Sequence, residues 1–110
     1  GLESATRTIN VYGETSAMSP EVMRGRKSLN QSDLYSLGCI MYEVLAGKPP
    51  YDGGSEILTL MYHLNNEPEP FKEELAVPKE LEAVVLKCLE KEPEDRFASA
   101  GEVKSLLESI

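Results

Sequence analysis

Apolar residues recur at helical spacing in most of the chain, and nowhere do apolar and polar positions alternate convincingly enough to predict a strand. Residues 1–17 are rich in Ser, Thr, Gly and charge with no period that would bury a face, so they predict a loop. Ser19, Pro20 and Glu21 then supply an N-cap hydroxyl, a proline at the first helical position and an acid near the positive end of the dipole. The short helix they open runs to about Arg24 and ends at Gly25.

The most apolar stretch spans Ser32 to Ala46. Leu34, Leu37, Met41, Val44 and Leu45 fall at helical spacing, and Cys39 and Ile40 widen the stripe beyond one face. A helix apolar on most sides belongs at the centre of a core. Asp33 stands at its start and Gly47 follows its end. The run Lys48-Pro49-Pro50-Tyr51-Asp52-Gly53-Gly54 predicts a rigid turn. Ser55 and Glu56 open another helix with Ile57, Leu60, Met61 and Leu64 on one face, broken by residues 65–70. Pro78 starts a helix with Leu81, Val84, Val85, Cys88 and Leu89 at spacings i, i+3, i+4, i+7 and i+8, closed by Pro93. A capping box, Ser99-x-x-Glu102, opens the last helix, whose Val103, Leu106, Leu107 and Ile110 are expected to be buried. The pattern therefore predicts an all-α domain of about five helices around one central apolar helix.

Composition narrows the picture. The 110 residues allow one domain at most and enough length for one modest core. The net charge of −8 is unevenly placed: residues 1–52 hold six acids and five bases, residues 53–110 thirteen acids and six bases. That excess argues against nucleic-acid binding and against contact with anionic membranes. Cys39 and Cys88 lie inside apolar helical patterns with no CxxC spacing, which predicts two buried thiols, not a disulfide or a metal site. Without a signal peptide or a membrane-length apolar run, this segment reads as cytoplasmic. The basic residues Arg24, Arg26 and Lys27 could hold a phosphate, but a solvated loop is the simpler expectation.

Function comes from three motifs in order. Ser19-Pro20-Glu21, then Ser32-Asp33 with Tyr35-Ser36-Leu37-Gly38, then Glu92-Pro93-Glu94-Asp95-Arg96-Phe97 resemble the back half of a eukaryotic-like Ser/Thr protein kinase. Tyr62-His63 before Glu67-Pro68, and the Gly-Lys-Pro-Pro-Tyr turn, resemble the bacterial members more than the animal ones. The resemblance implies a partial kinase domain across residues 1–110, with 1–18 as activation-segment loop and 19–110 as helical C-lobe. It implies that Glu21 pairs with Arg96, tying the activation segment to the lobe. Ser4, Thr6 and Thr8 would be activation-loop phosphorylation candidates, and Gly13, Glu14 and Thr15 the substrate platform. In the family Asp33 receives backbone N–H groups of the catalytic loop; without that loop it serves as an N-cap.

The family's glycine-rich loop, anchoring lysine, His-Arg-Asp and Asp-Phe-Gly do not occur in these residues. The chain is therefore expected to carry no catalytic residue and no metal ligand, with ATP and Mg²⁺ used by the parent. Its partners would be the upstream kinase lobe and a protein substrate or docking partner. Because an earlier helix of the family would cover the central helix, Cys39, Ile40 and Met41 or their neighbours should be exposed, favouring self-association. One departure matters. Glu14 stands seven residues before Glu21, where the family has a threonine beside the catalytic aspartate, and Ala17 replaces a large aromatic. Two carboxylates about 4 Å apart repel by roughly 4 kcal/mol at an effective dielectric near 20. The alternative reading is therefore a non-catalytic, pseudokinase-type interaction module docking through the helix at Ser55–Leu64. An unrelated helical bundle would be marked by the absence of a Glu21–Arg96 contact.

Overall fold

The computed structural model describes residues 18–26 and 30–110. Among these, five α-helices form: α1 (Pro20–Met23), α2 (Asn30–Ala46), α3 (Glu56–Asn65), α4 (Lys79–Cys88) and α5 (Ala100–Glu108). Single 3-10 turns lie at Glu73–Leu75 and Pro93–Asp95, and the described residues contain no strand. The fold is the all-α arrangement that the apolar pattern predicts. Among the described residues no helix is long and apolar enough to cross a membrane.

The central helix α2 carries core on two sides. On one, Tyr35, Cys39 and Tyr42 meet Val85 and Leu89 of the α4 region, with Phe71 and Leu81 packed against them. On the other, Leu34 meets Val84, Cys88, Phe97 and Val103. The buried stripe of α2 is thus Leu34, Tyr35, Gly38, Cys39 and Tyr42. This corrects the expected register. Leu37 and Val44 are exposed, Val44 to 77%, while Cys39 is buried. The two tyrosines, not the aliphatic residues alone, define the inward face. Tyr42 can be buried because its hydroxyl donates to the Glu69 carbonyl at 2.7 Å, leaving no unsatisfied polar atom. Leu37, Val44 and the half-buried Ile40 then form the apolar stripe left uncovered.

Gly38 decides how closely α2 and α4 approach. A β-carbon there would lie 2.7 Å from Cys88 Cβ and 3.2 Å from Leu89 Cδ2. Cys88 Cβ is fixed to the backbone and cannot swing aside, so Gly38→Ala must push the helices apart. We expect a loss of about 1–3 kcal/mol, the usual range for overpacking, read as a lower denaturation midpoint. Gly47 ends α2 with a positive φ of 80°, and its N–H returns to the Glu43 carbonyl at 2.8 Å.

Three other expectations change. Helix α3 turns Thr59 and His63 inward and leaves Ile57 and Met61 exposed. Its polar residues are accepted inside because they are bonded: Thr59 Oγ1 accepts from Gly53 N–H at 3.0 Å, and His63 Nδ1 meets the Tyr35 hydroxyl at 2.7 Å. Helix α5 buries only Val103, while Leu106, Leu107 and Ile110 are exposed, because this last helix touches the core only near its start. The serine caps of α3 and α5 do form, Ser55 and Ser99 accepting from Leu58 N–H and Glu102 N–H at 3.2 Å each. Glu102 reaches back to Ala98 N–H, one residue beyond the Ser99 N–H of a reciprocal capping-box bond.

Candidate functional site

A cluster of the described residues is built around a buried ion pair between residues 75 positions apart. Pro20 starts α1 and places Glu21 in its first turn, facing inward at 2% exposure. The turn at Pro93–Asp95 delivers Arg96 in extended conformation, 4% exposed. Arg96 Nη1 and Nη2 donate to Glu21 Oε2 and Oε1, each at 2.8 Å. Such a two-bond fork fixes orientation as well as distance.

Every N–H of the guanidinium has an acceptor. Nη1 also donates to the Gln31 carbonyl at 2.8 Å, Nη2 to the Lys91 carbonyl at 3.1 Å, and Nε to the Glu90 carbonyl at 2.8 Å. Five donors meet five acceptors, which is the condition under which a buried arginine is tolerated. Glu21 is equally well held, since Ser32 Oγ donates to its Oε2 at 2.6 Å. Burial alone would raise the Glu21 carboxyl, but the bonds from Arg96 and Ser32 outweigh it and hold the group at about 2. The cluster joins α1, the start of α2 and the loop after α4 in one knot.

Its second layer is aromatic. The Arg96 guanidinium lies 4.9 Å from the centroid of the fully buried Tyr35 ring, and Tyr35 passes the connection to His63. The His63 ring meets the Tyr51 ring edge-on at 4.8 Å. Lys91 donates to the Tyr51 hydroxyl at 2.9 Å, with its Nζ 4.3 Å from that ring's centroid. Tyr51 in turn donates to the Asn66 carbonyl at 2.7 Å. Burial lowers the Lys91 ammonium to about 8, against the pull of Glu67. Both thiols are buried; desolvation raises Cys39 far out of the reactive range and Cys88 to about 11.

Ser19 behaves otherwise than expected. It occupies the N-cap position of α1 and is 2% exposed, but its hydroxyl does not cap the helix and has no hydrogen-bond partner among the described residues. The backbone geometry and the proline start this helix without it. Ser19→Ala should therefore leave stability unchanged or raise it by about 1 kcal/mol, by relieving a buried unsatisfied hydroxyl. A thermal melt of the variant checks this: a fall of several degrees would mean that the hydroxyl caps the helix in solution.

Asp33 is no N-cap. It is the fourth residue of α2, which begins at Asn30, and its exposed carboxylate has no bond or ion pair among the described residues. Arg24 faces Glu92 across 3.8 Å at the surface, and Arg26 is exposed, so these bases do not converge. Ser4, Thr6, Thr8, Gly13, Glu14, Thr15, Ala17 and Lys27 lie outside the described residues. Among the described residues no group of three or more His, Cys, Asp or Glu could hold a metal ion.

Several participants carried no sequence signal. The acceptors on Gln31, Glu90 and Lys91 are backbone carbonyls, which side-chain chemistry does not mark. Ser32 stood inside a recognised motif without an assigned partner. His63 lay in an apolar helix with no neighbouring ligand to suggest that its ring joins two tyrosines.

Comparison with known proteins places this geometry. A family model described as the protein kinase domain matches residues 2–108. The serine/threonine-protein kinase PknB of Mycolicibacterium smegmatis is 41% identical over 103 residues, covering 93% of this chain and 16% of that protein. PknB of Mycobacterium leprae is 40% identical over the same length, covering 93% and 17%. A probable serine/threonine-protein kinase of Streptomyces coelicolor, SCO3848, is 37% identical over 105 residues, covering 94% and 16%. The chain thus spans about a sixth of the length of these relatives.

Proposed function

The chain belongs to the protein kinase domain family, and on that footing we propose that it forms the substrate-side helical lobe of a Ser/Thr protein kinase. In this reading the whole protein transfers the γ-phosphate of ATP, with Mg²⁺, to a Ser or Thr of a protein substrate in the cytoplasm. The chain supplies the scaffold and the segment that presents the substrate. The observation that carries the reading is the Glu21–Arg96 knot. It clamps the segment entering α1 to the central helix by a fully satisfied buried fork. A segment held this way can present a platform in one geometry while the residues before it change state. Within that segment Gly13, Glu14 and Thr15 form the platform, and Ser4, Thr6 and Thr8 are the regulatory hydroxyls. A phosphate there adds up to two negative charges and can reorder a loop through arginines. No residue of this chain is assigned to ATP or to the metal.

The test is to incubate the full-length protein with ATP and Mg²⁺ and map phosphate by mass spectrometry. Transfer to Thr6, Thr8 or Ser4 is expected. The competing reading, a non-catalytic interaction module, rests on Glu14 in place of threonine. It would be favoured if the full-length protein transferred no phosphate, while a Glu14→Thr variant that gained no activity would count against Glu14 as the cause. The exposed apolar residues Leu37 and Val44 on α2, and Ile57 and Met61 on α3, would then be its working surfaces.

A further inference from the structure

We propose that the cleft between the turn at residues 48–54 and the end of α3 binds a guanidinium group, the arginine side chain of a docking peptide. The cleft encloses about 310 Å³, the lower end of the usual range for ligand sites and suited to one side chain rather than a large molecule. Pro49 and Pro50 stiffen the lining, to which Tyr62 of α3 also contributes. Tyr62 is half-buried, and neither its ring nor its hydroxyl has a partner among the described residues. It is the one lining tyrosine left uncommitted. Tyr42 is stacked on Phe71 and bonded to Glu69, while Tyr51 is bonded to Asn66 and Lys91.

The charges in the cleft select the sign of the ligand. Glu67 is exposed and has no bond or ion pair among the described residues. Asp52 accepts only from Gly54 N–H, at 2.9 Å. Glu69 lies 3.8 Å from Lys48, so the one basic residue of the lining is already offset. Even with Glu67 drawing on the Lys91 ammonium, the lining holds three carboxylates, Asp52, Glu67 and Glu69, against the single ammonium of Lys48, and beside an open aromatic ring that balance favours a cation and repels an anion. The adjoining side of this wall already holds one, since the Lys91 ammonium rests on the Tyr51 ring. Arginine fits the vacant side better than lysine, because its planar fork can stack on Tyr62 while donating to carboxylates on two sides. The cleft contains no residue assigned to phosphoryl transfer, so its occupancy is independent of catalysis.

Nuclear magnetic resonance on the full chain tests it, with N-acetyl-arginine amide as the probe and N-acetyl-citrulline amide as its neutral isostere. The arginine probe should give saturable shifts at the amides of Gly53, Gly54 and Glu67, weakening with added salt, and citrulline should give none. Glu67→Gln and Tyr62→Ala, both outside the core, should each weaken binding about tenfold at unchanged melting temperature. A peptide carrying the same arginine should bind more tightly than the amide. Equal response to citrulline, no saturation, or affinity indifferent to both variants would overturn the site. A peptide no tighter than the amide would overturn the docking role and leave a small guanidinium compound as the ligand.

Discussion

Arg96→Ala should remove about 3–5 kcal/mol of folding stability, the usual consequence of leaving one partner of a buried pair without the other. Since domains of this size are stable by only about 5–15 kcal/mol, the variant should be largely unfolded at modest denaturant. The reason is specific. Deleting the guanidinium strands Glu21, 2% exposed, and at once withdraws the donors that satisfy the carbonyls of Gln31, Glu90 and Lys91. Arg96→Lys should recover only part of the loss, because an ammonium cannot reproduce the two-bond fork. The paired change Glu21→Leu with Arg96→Met should lose less than Arg96→Ala alone, since neither charge is then buried unpaired. Urea denaturation of the three variants gives the order directly, and a double variant weaker than the single one would contradict the argument.

The same pair sets a pH dependence. The Glu21 carboxyl is held at about 2 in the folded chain against 4.5 in the unfolded one. Its contribution is therefore complete above about 4.5 and is lost as pH falls toward 2. A depression of that size corresponds to about 3 kcal/mol, in line with the mutational expectation. The unfolding free energy of Glu21→Gln should accordingly be flatter across this window than that of the parent chain.

Leu89→Ala should cost about 2–5 kcal/mol, the range for emptying a large aliphatic position in a rigid core. Leu89 is 1% exposed and packs with Tyr35, Cys39, Tyr42 and Val85 directly beside Gly38. Closing the cavity would require α4 to move toward α2. The contact of Gly38 with Cys88 already sets the helices as near as they can come, so the site cannot collapse. Leu89→Met conserves volume and should lose less than about 1.5 kcal/mol. Equilibrium denaturation checks both; an alanine variant within 1 kcal/mol of the parent would show that the α2–α4 seam is looser than the geometry implies.

These two positions differ in how far sequence alone could reach them. Leu89 was legible because it completes an unbroken i, i+3, i+4 pattern on α4, where aliphatic burial is the only driving force at work. Arg96 was legible as a family motif, and its partner followed from a second motif. Their chemical setting was not legible, because three of the five acceptors are backbone carbonyls positioned by α2 and by the loop after α4. Sequence erred where polar groups compete with aliphatic ones for the interior. On α2 the tyrosines displaced Leu37 and Val44 from the inward face, and on α3 Thr59 and His63 displaced Ile57 and Met61. Tyr35, Tyr42 and His63 found partners distant in sequence, and Thr59 found one in the turn before its own helix, neither of which hydrophobic periodicity records.

By itself, then, the sequence determined the helical class, the number and approximate ends of the helices, and the family motifs. Those depend on local effects: period, proline and glycine punctuation, and capping hydroxyls. Tertiary structure alone decided which face of each helix turns inward, that Ser19 does not cap its helix, and that Arg96 is satisfied on all five donors. Those depend on hydrogen bonds between residues far apart in the chain, whose worth appears only when folding has removed the water that would otherwise have satisfied them.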